Sequence, residues 1–146
     1  MKNGWLKYWY IACSAKKLKQ NKVIGTNLLG EKIVLWRDEK GKPRAFQDKC
    51  PHRHAQISKG GYIKNQQLTC PYHGWSFKSS GEVGFIPSDG PEQKCTKRKI
   101  KSYETTETCH TVCKNGLCCH LSVFLESIIF VAIMNSMDYI SIEVFY

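Results

Sequence analysis

Short apolar runs alternate with polar and glycine-containing junctions along the first third of the chain. The runs are rich in aromatic and β-branched residues, which is typical of β-strands. Each run ends at a cluster of turn-forming residues, so the pattern predicts a meander of short antiparallel strands. The predicted strands are residues 5–11, 23–28, 31–36 and 44–48.

The junctions support this interpretation. Leu29-Gly30 separates two predicted strands as a hairpin turn would, and Gly41 with Pro43 supplies a positive φ and a fixed φ in the next turn. Between residues 49 and 87 glycine is frequent, as expected where the backbone turns tightly around something. No convincing helical pattern interrupts the series, so the sequence predicts an all-β fold.

The length and the distribution of charge divide the chain. A chain of 146 residues fits one compact domain with at most one active site. Residues 1–108 carry 21 basic and 9 acidic side chains, whereas residues 109–146 carry 1 and 3. Apolar residues rise from 37 of 108 to 24 of 38 at the same point. We therefore predict a domain at 1–108 and a separate apolar tail at 109–146, which holds Cys109, Cys113, Cys118 and Cys119.

The candidate chemistry lies in two short loops. Cys50-Pro51-His52 is followed, after seventeen intervening residues, by Cys70-Pro71-Tyr72-His73. Each loop offers one thiol and one imidazole, donors that suit zinc or iron and poorly suit magnesium or calcium. The pattern therefore indicates a metal site, provided that the intervening segment forms a hairpin.

Two kinds of metal site fit these donors. The first is a structural zinc site, although zinc fingers usually pair Cys with Cys and His with His along the chain. The second is a two-iron cluster, in which one iron takes both thiolates and the other takes both imidazoles. The mixed Cys and His pair in each loop favours the cluster.

The same two loops resemble the paired cluster motifs of Rieske [2Fe-2S] proteins, and more narrowly those of Rieske-type non-haem iron oxygenases of the pheophorbide and chlorophyllide oxygenase kind. The resemblance covers about residues 5–108 and includes Trp75-Ser76-Phe77 and Ile86-Pro87 after the second loop. It implies a Rieske-type antiparallel β-sandwich with a small cluster-binding subdomain, formed by the two loops within about residues 49–87.

The resemblance also implies roles for individual residues. Cys50 and Cys70 would bind the inner iron of one [2Fe-2S] cluster per chain, and His52 and His73 would bind the outer iron. Ala55 and Tyr72 occupy the positions at which the Rieske proteins of cytochrome complexes carry an additional disulfide. His54 stands where the family usually has Gly; we expect it beside the site and not as a ligand. Arg53 would either place a charge beside the cluster or be simply solvated. From their alternating positions, Trp75 and Phe77 are predicted to pack beneath the second loop.

Rieske oxygenases activate O₂ at a separate mononuclear iron held by two His and one carboxylate. With His52 and His73 assigned to the cluster, the remaining histidines are His54, His110 and His120, and they lack that pattern. We therefore expect no catalytic iron site on this chain. It resembles an electron-transfer module that depends on an electron donor, a ferredoxin or a flavin reductase, and on an oxygenase catalytic iron domain. The alternatives are a stand-alone Rieske ferredoxin and, in a different class, a zinc-stabilised binding module.

The tail departs from the resemblance after residue 108. One hypothesis is a truncated, misspliced or frame-shifted end; the other is a genuine tail that binds a membrane or a partner. Residues 117–137 are apolar, but Glu126 near their middle would cost about 2.5–3.5 kcal/mol in a membrane span, which disfavours insertion.

The remaining features concern location and partners. Residues 8–12 weakly resemble a signal peptide, but Lys7 and the aromatic residues fit a first strand better. Free thiolates for an iron–sulfur cluster favour a reducing compartment, so we expect the cytoplasm or an organellar stroma and no secretion. The basic cluster at residues 94–101 lacks interleaved stacking aromatics, which disfavours nucleic acid and leaves a solvated surface or the docking of an acidic electron donor.

Overall fold

The computed structural model describes residues 6–90, 97–112 and 124–135. Nearly all regular structure in these ranges is β-strand, with one 3₁₀ turn at Pro87–Asp89. The strands are β1 Leu6–Ser14, β2 Ile24–Leu28, β3 Glu31–Arg37, β4 Pro43–Gln47, β5 Tyr62–Lys64, β6 Gln67–Thr69, β7 Ser76–Phe77, β8 Val83–Phe85, β9 Ser102–Tyr103, β10 Thr105–Val112 and β11 Phe124–Asn135.

These strands form three antiparallel sheets. Their strand orders are β1-β11-β10, β2-β3-β4-β9 and β5-β6-β7-β8. The predicted all-β class and the four predicted strands are therefore confirmed, with small differences at their ends. The predicted meander holds for β2, β3 and β4, whereas β1 pairs with β11 in another sheet. The third sheet carries the second cysteine loop between β6 and β7, and the first cysteine loop follows β4 of the second sheet.

The second sheet lies between two apolar cores, as the burial of β3 shows. Four consecutive residues of β3 are fully buried: Ile33, Val34, Leu35 and Trp36. Because successive side chains of a strand point to opposite faces, this run faces two cores at once. Ile33 and Leu35 pack with apolar side chains of β11. Val34 and Trp36 pack with the third sheet and with the two cysteines of the loops. The cysteine loops thus rest on a sheet that is buried on both faces.

The predicted hairpin between β2 and β3 is present. Leu29 and Gly30 have φ of +53° and +82°, and Leu28 pairs directly with Glu31. Positive φ at both central residues is the requirement of a two-residue type I′ turn, which matches the twist of antiparallel strands. Gly30 meets this requirement without steric cost, and an added Cβ would contact nothing within 4 Å.

The turn between β3 and β4 is organised by a buried carboxylate. Asp38 Oδ1 accepts hydrogen bonds from the backbone N–H groups of Lys40 and Lys42, at 2.9 and 3.0 Å. Asp38 Oδ2 accepts two more from the Arg44 guanidinium, at 2.8 and 2.6 Å. Burial raises the pKa of Asp38, but the Arg44 and backbone donors outweigh it and hold the pKa below its usual value.

The C-terminal part of the described chain is joined to the sheets. β10 begins at Thr105 and runs to Val112, so this strand crosses the predicted boundary at residue 108. β11 pairs with β1 on one side and with β10 on the other. Ile129 and Val131 of β11 are fully buried. Where the domain ends remains a prediction, but residues 124–135 complete one of the two cores.

Part of the predicted apolar stretch at 117–137 is thus β-strand. Throughout residues 6–90, 97–112 and 124–135, no helix has the length and apolar character needed to cross a membrane. The residues first considered as a weak signal-peptide pattern lie in β1, as the strand interpretation predicted. Three features of the sequence analysis fall outside the described residues: Cys113, the Cys118-Cys119 pair and His120.

Candidate metal centre

The first cysteine loop is a tight turn closed by two backbone hydrogen bonds. The Cys50 N–H donates to the Ala55 carbonyl at 2.9 Å, and the His54 N–H donates to the Cys50 carbonyl at 2.8 Å. His54 adopts φ +58°, in the left-handed region that favours glycine. The resemblance places Gly at this position, so the turn keeps a glycine-like backbone while it carries an imidazole.

The second cysteine loop repeats this turn. The Cys70 N–H donates to the Trp75 carbonyl at 2.8 Å, and the Gly74 N–H donates to the Cys70 carbonyl at 3.1 Å. Gly74 has φ +70°, and a Cβ added there would lie 2.9 Å from Pro87 Cγ. Glycine is therefore required both for the conformation and for the close approach of the Pro87 segment.

Both loops are anchored at their bases by hydrogen bonds. The buried carboxylate of Asp48 accepts from the Ser58 N–H at 2.7 Å and from the Ser58 hydroxyl at 2.5 Å, which ties the two ends of the first loop together. Beneath the second loop, the buried hydroxyls of Thr69 and Ser76 lie 2.8 Å apart on paired strands. Each contact therefore holds together the two ends of one loop.

The two cysteine side chains form a buried pair. Cys50 and Cys70 are 2% and 1% exposed, and their thiols are close enough to hydrogen-bond to each other. Burial is the largest effect on Cys50 and raises its pKa to about 11, while the backbone N–H groups of His52 and Arg53 act in the opposite direction. Bringing the Cys50 thiol to the thiolate state therefore requires a strongly positive ligand.

The two histidine side chains form a second pair closer to solvent. The rings of His52 and His73 lie 4.5 Å apart between centroids, at 66° to each other. His73 is exposed, whereas His52 is half-buried. Burial, followed by the charges of His73, Arg53 and Arg98, lowers the pKa of His52 and favours the neutral ring that a metal requires.

The donor set fits a two-iron cluster. The donors form a thiol pair and an imidazole pair, one pair for each iron of a Rieske cluster. His52 Nδ1 is buried and has no hydrogen-bond partner among the described residues, which is the state expected of a nitrogen whose partner is a metal. In the same ranges, no three His, Cys, Asp or Glu side chains are grouped for a single metal ion.

The other predicted residues are placed as follows. His54 is exposed and borders a cavity with Lys49 and Gln56 on the side of the first loop. Cys13 is free and partly buried in the core beneath β1, apart from the two loops. Of His110 only the backbone, in β10, is described.

The structure adds three aromatic and cationic contacts that sequence reasoning missed. Trp75 packs in the core beneath the second loop, as predicted, but its ring also stacks on His52 at 4.8 Å and 3°. Tyr72 contacts His73 with ring centroids 4.1 Å apart and is 65% exposed. Arg98 lies over the Trp75 ring, with Cζ 5.6 Å from the centroid. The sequence signal for Arg98 was only its membership of a basic cluster.

An antiparallel β fold that presents two matching Cys and His loops defines a β-rich iron–sulfur domain. The model of the Rieske [2Fe-2S] domain family matches residues 8–104, so the chain belongs to this family. Its cofactor is a Rieske-type [2Fe-2S] cluster, and its function is cluster binding and electron transfer.

Similar proteins agree with this assignment. Pheophorbide a oxygenase, a chloroplastic protein of Arabidopsis thaliana, is 40% identical over 97 residues, which cover 64% of this chain and 18% of the relative. The crystal structure of apo dicamba monooxygenase matches with a TM-score of 0.61 and 31% identity, over 68% of this chain and 30% of that one. A complex of the oxygenase and ferredoxin of carbazole 1,9a-dioxygenase matches at a TM-score of 0.61 and 27% identity, over 72% and 27% of the respective chains.

The chain is much shorter than these proteins. It spans 14% to 19% of the length of the first curated relatives that it matches. The likeness therefore concerns the Rieske part of each relative.

Proposed function

We propose that Cys50, His52, Cys70 and His73 are the four ligands of the cluster. The observation that carries this proposal is the juxtaposition of the two matching turns, which brings a buried thiol pair and an outer imidazole pair together. When bound, a Rieske cluster accepts and passes on one electron at a potential of roughly −150 to +300 mV.

The surroundings of each pair suit this division of the ligands. Cys50 and Cys70 are buried, and backbone N–H groups that favour a thiolate point at Cys50. His52 and His73 lie closer to solvent and carry no negative charge as neutral rings. The exposed His73 edge is therefore the side from which an electron is exchanged with a partner.

The chain acts, in this proposal, as the electron relay of an oxygenase system. Its donor is a ferredoxin or a flavin reductase, and its acceptor is a mononuclear iron in an oxygenase catalytic domain. The support is the set of similar oxygenases and the ferredoxin partner named for one of them. The chloroplastic relatives support an organellar location.

Charge complementarity suggests how the donor is recognised. Arg53 and Arg98 both act electrostatically on His52, so the imidazole face is positively charged. A positive face favours encounter with an acidic donor. Reduction by an acidic plant-type ferredoxin in a stopped-flow instrument should slow as salt is added; a rate independent of salt would contradict this docking.

The ligand assignment is tested by metal analysis and EPR. The chain, purified without oxygen, should contain two iron atoms and two labile sulfides, with a Rieske signal after reduction. Cys50→Ser, Cys70→Ser, His52→Ala and His73→Ala should each abolish that signal. Cys13→Ser is the matched control, because this free thiol lies outside the two loops, and it should retain full cluster content.

Three results would contradict parts of the proposal. One zinc per chain without sulfide would favour the zinc-stabilised module. A normal Rieske signal in any of the four ligand variants would remove that residue from the set. Electron delivery to a separate acceptor protein, with no transfer to an oxygenase iron domain, would favour the stand-alone Rieske ferredoxin.

A further inference from the structure

The side chains of Arg98, Trp75 and His52, which come from separate segments, form a stack that includes one member of the imidazole pair. The Arg98 guanidinium lies over the Trp75 ring, with Cζ 5.6 Å from the centroid. On Trp75, the ring of His52 stacks at 4.8 Å between centroids with the planes 3° from parallel. Trp75 is 7% exposed, whereas Arg98 lies at the surface.

The middle member of the stack is held firmly. Trp75 belongs to the core that contains Cys50 and Cys70, and its carbonyl accepts the Cys70 N–H at 2.8 Å. A ring fixed in this way is a rigid surface for a second ring. Parallel aromatic packing of this kind stabilises the pair beyond the area that it buries.

Two ring contacts orient His52. A histidine binds a metal through one ring nitrogen, so the plane of the ring sets the direction of that nitrogen. The His52 nitrogen that is buried and has no hydrogen-bond partner among the described residues is Nδ1, the atom that fits the metal. Trp75 on one face and His73 at the edge hold the plane of the ring, and with it the direction of Nδ1.

We propose that Arg98 is a positioning residue that acts through Trp75, completing the stack that orients His52 and placing a positive charge that favours the reduced cluster. This inference rests on the proposed role of His52 as a ligand. This contact gives Arg98 a defined place, because a guanidinium within about 6 Å of an aromatic centroid is attracted by the face of the ring.

The expected size of the effect follows from the distances. The guanidinium lies within about 10 Å of the His52 ring, where a unit charge screened between water and a protein surface changes an equilibrium by about two- to tenfold. Arg98 is exposed, so the lower part of this range applies. Arg53 acts on the same imidazole without joining the stack.

The test compares four variants of the cluster-containing chain. Arg98→Gln removes both charge and stack, and Arg98→Lys keeps the charge without the planar group. Arg53→Gln removes a neighbouring charge and leaves the stack intact. Lys101→Gln is the matched control, because Lys101 is also an exposed cation over an aromatic ring, 5.0 Å from the Tyr103 centroid, and is absent from the charges that act on His52.

Two readouts separate charge from position: the reduction potential, and the EPR line shape of the reduced cluster. Arg98→Gln should raise the oxidised-to-reduced ratio at a fixed potential by two- to tenfold and also alter the line shape. Arg53→Gln should change the ratio alone, and Arg98→Lys should restore the ratio and keep the altered line shape. Lys101→Gln should change neither.

Other outcomes would overturn the inference. A ratio for Arg98→Gln within twofold of the unsubstituted chain, with an unchanged line shape, would refute it while leaving the ligand assignment intact. An equal shift of the oxidised-to-reduced ratio in Lys101→Gln would show that the effect comes from surface charge in general and not from the position of Arg98 in the stack. Absence of a Rieske signal in the unsubstituted chain would overturn both the ligand assignment and this inference.

Discussion

Gly74 offers a quantitative test of how tightly the second cysteine loop is packed. An alanine at this position would have to adopt φ +70°, and its Cβ would lie 2.9 Å from Pro87 Cγ. Gly30 is a matched position, because its φ is +82° and an added Cβ would meet nothing within 4 Å. The difference between Gly74→Ala and Gly30→Ala therefore isolates the contact with Pro87.

The magnitudes follow from these geometries. The left-handed conformation costs an alanine about 1–2 kcal/mol, which is the full expectation for Gly30→Ala. Contact with Pro87 adds an overpacking cost of about 1–3 kcal/mol, because an ordinary carbon contact lies at 3.4–4 Å and the Pro87 segment must move. Gly74→Ala should therefore lower the free energy of unfolding by about 2–5 kcal/mol.

The assay is urea unfolding followed by tryptophan fluorescence, with cluster content measured by visible absorbance on the same samples. With a denaturant slope of about 1–3 kcal/mol/M, Gly30→Ala should lower the midpoint by about 0.3–2 M. Gly74→Ala should lower it further and should also lose cluster, because the same turn carries Cys70 and His73. Equal midpoints and equal cluster content in the two variants would refute the inference that the Pro87 contact fixes this loop.

Three further predictions concern the scaffold. In urea unfolding, Ile129→Ala should lower the free energy of unfolding by about 2–5 kcal/mol, because this β11 side chain is fully buried. The control Ile11→Ala, at a 62% exposed position, should change the free energy of unfolding by about 0.5 kcal/mol or less. The pKa of Asp38 is lowered, so its contribution to stability is complete above about pH 4 and is lost as the pH falls through its folded-state pKa. Asp38→Asn should therefore flatten the acidic part of a stability profile measured from pH 6 to 2. An unchanged slope in this variant would contradict the role of Asp38. Ser58→Ala removes the hydroxyl that donates to Asp48 at 2.5 Å, and it should lower the free energy of unfolding by about 1.5–3 kcal/mol. The variant should also lose iron to a chelator faster. An unchanged rate of iron release would contradict the anchoring role of Ser58.

Local features of the sequence predicted much of the fold. The hairpin at Leu29-Gly30 was predictable because Gly30, which tolerates positive φ, lies between two apolar runs; that Leu29 also adopts a positive φ was not. The strands around it were predictable because apolar runs between turn residues have few other solutions. The predicted boundary at residue 108 rested on composition and on the end of the resemblance, and neither reports which strands pair. β10 continues through that position because its partner is β11, more than ten residues further along the chain.

The metal site likewise combines features that the sequence predicted with features that only the structure revealed. Residue type and spacing in the two loops indicated a metal site, and the resemblance to the Rieske motifs indicated the four candidate ligands. Nothing in the local sequence of Arg98 indicated that it would lie over Trp75, and nothing near Trp75 indicated that its ring would stack on His52. These contacts join segments more than twenty residues apart.

By itself, the sequence determined the all-β class, the turns, the cofactor family and the chemistry of the ligands. Each of these depends on backbone preferences or donor types that residues carry wherever they are placed. Only the tertiary structure decided that β3 is buried on both faces, that β11 completes a core, and that one arginine reaches the imidazole pair through a tryptophan. The physical reason is that burial, stacking and electrostatic influence depend on distances between segments, and those distances exist only after the sheets have paired and packed.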